Sequence, residues 1–184
     1  MRKYDGLING LISVEGIQTN DKRGFFYEKY NLDFLRRYEV AIVQENISKS
    51  IKGTIRGMHW QVNPNAQAKL ITCITGTIYD VAVDLRKHSE TFGYFSSVTL
   101  SGETNTSLWI PVGFAHGFQA VEASCIISYS VTSPYSRSDA RAINPLCPTL
   151  GIDWPLDDSI LSDSDTQALN FDELAEEVFF SEII

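Results

Sequence analysis

Apolar and polar residues alternate with a period of two along much of the chain, the pattern of half-buried strands. It is clearest over residues 78–85. Tyr79, Val81, Val83 and Leu85 share one face there, and Ile78, Asp80, Ala82 and Asp84 share the other. The β-branched run Lys69-Leu70-Ile71-Thr72-Cys73-Ile74 predicts a strand just ahead. Thr75-Gly76-Thr77 predicts a tight turn between the two, because glycine adopts a positive φ at little cost. Further strands are predicted over 24–30, 41–49, 53–60, 94–100, 107–111, 118–121 and 125–132, punctuated by Gly, Pro, Asn and Ser. Many short strands at this spacing indicate an all-β antiparallel barrel or sandwich. Helix is predicted in two places. Asn31 caps a segment with Leu32, Leu35 and Tyr38 along one side, and 172–177 reads as a second short helix. The acidic stretch from Asp157 to Glu182 reads as a solvated outer segment tied down by Trp154 and Leu161.

The length of 184 residues suits a single domain over 1–184. Hydrophobic residues at 43% and charged residues at 21% allow a sizeable core and argue against disorder. Lys plus Arg number 15 against 23 Asp plus Glu, a net charge of −8, which is the wrong sign of field for general binding to nucleic acid or anionic membranes. A small anionic ligand then needs a local gathering of basic residues. No stretch is apolar for the ~20 residues of a membrane helix, and the start reads as carrying no signal peptide. Cys73, Cys125 and Cys147 are odd in number and widely spaced, so a disulfide framework is not expected and a reducing cytoplasm fits best. Neither a P-loop, a dinucleotide fingerprint nor a nucleophile elbow is present.

Of the three histidines, His88 sits in a polar turn and reads as exposed and inert. His59 and His116 stand in contexts that resemble the two motifs of the cupin jelly roll. Gly53 and His59 match the opening of the first, and Pro111-x-Gly113-x-x-His116 the core of the second. Metal-binding cupins carry a second His where this chain has Gln61, and a Glu where it has Lys69. A divalent site wants about three or more N, O or S ligands, so no metal is expected.

The ordered series RGFFYE (23–28), QENISKS (44–50), IRGMHWQ (55–61), AQAKL (66–70), YDVAVDLRK (79–87), WIPVGFAHGF (109–118), GIDWP (151–155) and LSD (161–163) resembles the dTDP-4-dehydrorhamnose 3,5-epimerase family over nearly the whole chain. The resemblance implies a cupin-type jelly roll and an isomerase that inverts the carbons flanking a 4-keto group. Such chemistry needs a base, a stabiliser for the enolate oxygen and an acid across the ring. By resemblance His59 is the base, Asp165 the carboxylate orienting it, Lys69 the cation near the enolate and Tyr129 the acid on the far face. No cofactor is implied, because the ketone already acidifies both neighbouring C–H bonds. Arg23, Arg56, Gln44 and Asn46 match positions that hold the nucleotide diphosphate. Phe26 and Tyr135 suit stacking on the base, Glu28 suits accepting a hydrogen bond from it, and His116 matches a second histidine near the sugar. Members are homodimers whose sites are completed by the partner chain.

Singly, each residue also has a plainer reading. Arg23 and Arg56 fit surface ion pairs, Tyr129 a bonded core hydroxyl, and Asp165 the cap of a helical turn. The chain departs from the family where Ser164 and Ser130 replace commonly basic residues near the substrate, and where Asp139 is the nearest candidate for an expected acidic residue. These departures bear on which nucleotide and sugar are used. The rival readings are a monofunctional 3- or 5-epimerase on another nucleotide sugar such as a CDP-linked one, a metal-dependent cupin dioxygenase, and a non-catalytic sugar-binding cupin.

Overall fold

The computed structural model describes residues 2–181. Two five-stranded antiparallel sheets face each other as a jelly roll. In spatial order the first is formed by Ile12–Glu15 (β1), Thr106–Ile110 (β9), Lys69–Thr75 (β6), Cys125–Val131 (β11) and Gln44–Ser50 (β4). The second is formed by Ala140–Ala142 (β12), Ile55–Gln61 (β5), Phe114–Ala120 (β10), Thr77–Asp84 (β7) and Phe95–Ser101 (β8). A separate hairpin joins Ile17–Asp21 (β2) to Gly24–Glu28 (β3). The helix Leu32–Arg37 (α1) is capped by the Asn31 side chain, which accepts from the backbone N–H groups of Asp33 and Phe34. A second helix, Asp163–Thr166 (α2), follows late in the chain.

Alternation decides which side chains meet. Inward residues of both sheets, among them Ile71, Ile78, Ala82, Leu108, Phe114, Phe118 and Ile127, fill the space between the sheets. Both faces of β7 are buried. Ile78 and Ala82 enter that interior, while Val81, Val83 and Leu85 pack outward under the chain's last third. Phe171 and Phe180 anchor that outer layer, together with half-buried Trp154. Leu161 instead lines a cleft. Glu182 lies outside the described residues. On the outside of the first sheet, Leu70 and Trp109 are covered by Tyr30, Phe34 and Val40.

Gly76 turns the chain between β6 and β7 with φ +78°, as expected, and the turn passes the chain from one sheet to the other. Two sequence expectations need correction, the strand at 118–121 and the helix over 172–177. The strand expected at 118–121 begins at Phe114, because Gly117 lies within the ladder and does not end it. The helix expected over 172–177 is two 3₁₀ turns, Phe171–Glu173 and Glu176–Val178. Extended backbone at Leu174 and Ala175 lies between those turns, and Phe171 and Phe180 both dock on the same outer face. Strands β1, β2 and β12 were not predicted. Ser13 and Glu15 are the solvent-facing half of a true alternation in β1, and β2 is exposed at nearly every position.

Candidate active site

The apolar filling stops short of one end of the sandwich, leaving a cleft of about 870 Å³ between the sheets. His59, Asp165, Lys69, Tyr129, His116, Asn46, Arg56 and Tyr135 all line it. Strand period explains this gathering. On β5, Met58 and Trp60 point outward into the second core, so His59 and Gln61 point in. On β6, Leu70 is covered from outside, so Lys69 and Ile71 face inward. His59 and His116 sit directly opposite in the β5–β10 ladder, just before a register shift. Gly57 and Gly117 make that shift possible, because a Cβ on Gly57 would stand 2.4 Å from the Gly117 Cα.

Helix α2 brings Asp165 beneath His59. Ser162 caps the helix, so the plainer reading of Asp165 as a cap does not hold. His59 Nε2–H donates to Asp165 Oδ1 at 2.6 Å. The imidazole stays 47% exposed to the cleft while the carboxylate side chain is 5% exposed. Burial works to raise the Asp165 pKa, but hydrogen bonds from His59, Ser162 and the Gly57 N–H, with the His59 charge, hold it below the usual carboxylate range. A proton on Nε2 leaves the Nδ1 lone pair for the cleft.

Behind His59 lies a second pair. His116 Nε2–H donates to Asp80 Oδ2 at 2.8 Å, both groups being buried. Burial drives the Asp80 pKa up and the His116 pKa down, with their mutual attraction opposing both shifts. Among the described residues, Asp80 Oδ1 has no hydrogen-bond partner. Lys69 Nζ donates to the His59 carbonyl at 3.0 Å, and desolvation lowers its pKa to about 8 against the pull of Asp80. Tyr129, on the strand next to that of Lys69, faces His59 and His116 from the opposite sheet. Its hydroxyl lies 2.7 Å from Ser48 Oγ, and burial pushes its pKa up to about 12.

Arg56 Nε donates to Ser50 Oγ at 3.0 Å, a bond that spans the two sheets. Gln44 is outside the cleft lining but holds two groups that are in it. Its Nε2 donates to Asn46 Oδ1 at 2.7 Å, and its Oε1 accepts the Tyr135 N–H at 3.1 Å. Arg23, Phe26 and Glu28 are on the hairpin and do not reach this cleft. Arg23 is 84% exposed in its side chain and pairs with Asp21, matching the plainer reading of a surface ion pair. Phe26 is 70% exposed, and Glu28 accepts from Asn31. His88 is exposed, as expected.

Of the two departures, Ser164 lines the cleft and Ser130 does not. Ser130 faces the outside of the first sheet, where Lys29 Nζ donates to it at 3.0 Å, so its replacement of a basic residue is no loss of charge at the substrate. Asp139 accepts from Asn65 and Ser136 and structures a loop outside the lining. The cupin metal positions do not fit a metal. Gln61 spends its amide on Asn65 O, Pro134 O and the Ser136 N–H, His116 is engaged by Asp80, and Lys69 adds a cation. Among the described residues no three His, Cys, Asp or Glu side chains gather as a cation site would require.

A family model for dTDP-4-dehydrorhamnose 3,5-epimerase matches residues 6–173. The chain belongs to the dTDP-4-dehydrorhamnose 3,5-epimerase family. It is 42% identical over 154 residues to the Shigella flexneri dTDP-4-dehydrorhamnose 3,5-epimerase, covering 82% of this chain and 85% of that one. It is 34% identical over 168 residues to a dTDP-4-dehydrorhamnose 3-epimerase of Streptomyces niveus, covering 88% and 80%. The Legionella pneumophila dTDP-6-deoxy-D-glucose-3,5-epimerase, solved in complex with dTDP-4-keto-L-rhamnose, matches with a TM-score of 0.92 at 36% identity over 98% of this chain and 97% of that one. The jelly roll expected from the cupin motifs is therefore the fold of this epimerase family member. Sequence reasoning missed Ser48 of the cleft wall, Gln61 as a clamp on the loop carrying Tyr135, and Asp80, buried behind His116. An acid at an inward strand position between Ile78 and Ala82 was the available signal for Asp80. For Ser48 it was the shared face of Gln44, Asn46 and Ser48 on β4.

Proposed function

We propose that the chain is a single-domain, cofactor-independent isomerase that inverts C3 and C5 of a dTDP-linked 4-keto-6-deoxyhexose in L-rhamnose or a related deoxysugar pathway. The observation that carries this reading is His59 of the second sheet, held by Asp165 of α2, facing Tyr129 of the first sheet across the cleft. Inversion requires a base and an acid on opposite faces of one ring. His59 Nδ1 takes the proton α to the ketone, and Asp165 balances the imidazolium that forms. The Lys69 ammonium stabilises the enolate oxygen, a role preorganised charges fill well. Tyr129 returns a proton from the far side. Arg56 and Asn46 hold the diphosphate, Tyr135 stacks on the base at the mouth, and His116 borders the sugar.

The working unit is a homodimer in the cytoplasm. Three unpaired cysteines suit a reducing compartment. Arg23, Phe26 and Glu28 lie on a hairpin that leaves its own cleft, with Phe25 and Phe26 exposed, and the free edge strand β4 exposes Ile47. The hairpin accordingly reaches the partner's cleft, where Arg23 binds the diphosphate and Phe26 and Glu28 the base.

The 3-epimerase relative makes single inversion the second reading. Incubation with dTDP-4-keto-6-deoxy-D-glucose, followed by reduction and NMR assignment of the product's ring couplings, separates the two. Inversion at both carbons is expected. Inversion at C3 alone would replace the first reading with the second, and an unchanged sugar would overturn both.

A further inference from the structure

The acid assigned to Tyr129 has a requirement of its own. Its hydroxyl must aim its hydrogen at the substrate carbon. Yet Tyr129 Oη lies 2.7 Å from Ser48 Oγ, and either oxygen could donate in that bond. If the phenol donates, its proton points into the wall of β4. If Ser48 donates, the phenolic proton is free for the cleft. Ser48 is on the same face as Asn46 and Tyr129 in the β4–β11 ladder, and all three line the cleft. The Tyr129 ring pairs with His116 and Phe118, at centroid distances of 6.4 and 6.3 Å. Among the described residues, no hydroxyl or amide other than Ser48 bonds the phenol.

We propose that Ser48 is the positioning residue of Tyr129, donating its hydroxyl hydrogen to the phenolic oxygen so that the phenol's own proton faces the substrate. The proposal rests on the reading of Tyr129 as the acid. In the step it serves, the enolate's electron pair forms the new C–H bond with the Tyr129 proton. The phenol O–H bond breaks and leaves a phenolate, and the C=O bond is restored. The Ser48 hydrogen bond then becomes charge-assisted, and such bonds are roughly twice as strong as neutral ones. Burial is the main obstacle to a phenolate here, and the Ser48 bond and the Arg56 charge are what oppose it. The phenolate regains its proton from solvent before the next turnover.

The test compares two rates in Ser48→Ala: inversion, read by coupled reduction of the product, and solvent-deuterium wash-in, read by NMR of the recovered ketone. Loss of a hydrogen bond to a charged group is expected to slow inversion roughly tenfold. Wash-in, which reports proton removal by His59, is expected to be unchanged. In a Tyr129→Phe background, Ser48→Ala is expected to change neither rate. Ser48→Thr keeps the hydroxyl and should hold the ratio of inversion to wash-in near its original value, which also serves if the alanine variant folds poorly. An unchanged ratio in Ser48→Ala, or equal slowing with and without the Tyr129 hydroxyl, would overturn the proposal. Full inversion in Tyr129→Phe alone would instead remove the acid on which it rests.

Discussion

Imidazole in water titrates near ~6.5 and turns freely about its side-chain bonds. In the cleft Asp165 ends that freedom by fixing one nitrogen, so the other always faces the substrate. Asp165→Asn keeps the shape but loses the charge that balances an imidazolium. Turnover is expected to fall at least ~10²-fold, the lower range of a general base's contribution, with KM little changed in steady-state assays. Lys69 is under a different constraint. Only its ammonium can stabilise an enolate, and desolvation has brought its pKa to about 8. The protonated form lies below that value, so turnover should decline as pH rises past about 8. Lys69→Met should run at least tenfold slower, a cautious floor for one lost electrostatic donor. Its profile should lack that alkaline limb, while Asp80, His59 and His116, the ionisable neighbours, remain in place. An unaltered limb in Lys69→Met would assign it to another group.

Strands place these groups, and their local chemistry decides how much of that placement the sequence discloses. Residues 78–85 alternate regularly and 69–74 form a β-branched run, so both strands were legible, whereas Lys69 as a site residue came from the family resemblance. The hairpin was half legible. Its second strand was expected, but β2 has no buried face within its own chain, so hydrophobic periodicity has nothing to act on. The three-residue β12 is held by its ladder to β5. Gly57 shows how an element depends on one missing atom. Gly57→Ala would press a Cβ against the Gly117 backbone from a φ of +133°, so a loss of about 2–4 kcal/mol is expected, read as a lower denaturation midpoint. The hairpin's role can be read by complementation. Arg23→Ala and His59→Ala, each impaired alone, should regain activity when unfolded and refolded together, because a mixed dimer contains one intact site. No recovery in a confirmed mixed dimer would place Arg23 outside the partner's cleft.

Across the whole molecule the chain carries a net charge of −8, yet Arg56 and Lys69 point into one cleft. Composition excluded polyanions but could not show that gathering, which needs the two sheets to face each other. The ordered motifs did disclose the family, and with it the candidates on the cleft wall. That Ser130 faces away from the substrate follows from its place directly after Tyr129 in a strand, but that Asp80 lies behind His116 depends on cross-strand register and was not legible. A buried ammonium also bears on stability. Lys69 has a folded pKa below its unfolded 10.5, so below that value folding works against its charge. Lys69→Met should therefore melt higher at pH 7, by on the order of 2–4 °C for ~1 kcal/mol in a chain of this size, while losing activity. The central claim, that His59 held by Asp165 removes the proton beside the ketone, is tested most directly by NMR of dTDP-4-keto-6-deoxy-D-glucose in deuterated water. Deuterium should enter at C3 and C5 with the intact protein and at neither carbon with His59→Asn. Wash-in that persists in His59→Asn, or that never occurs with the intact protein, would contradict the account.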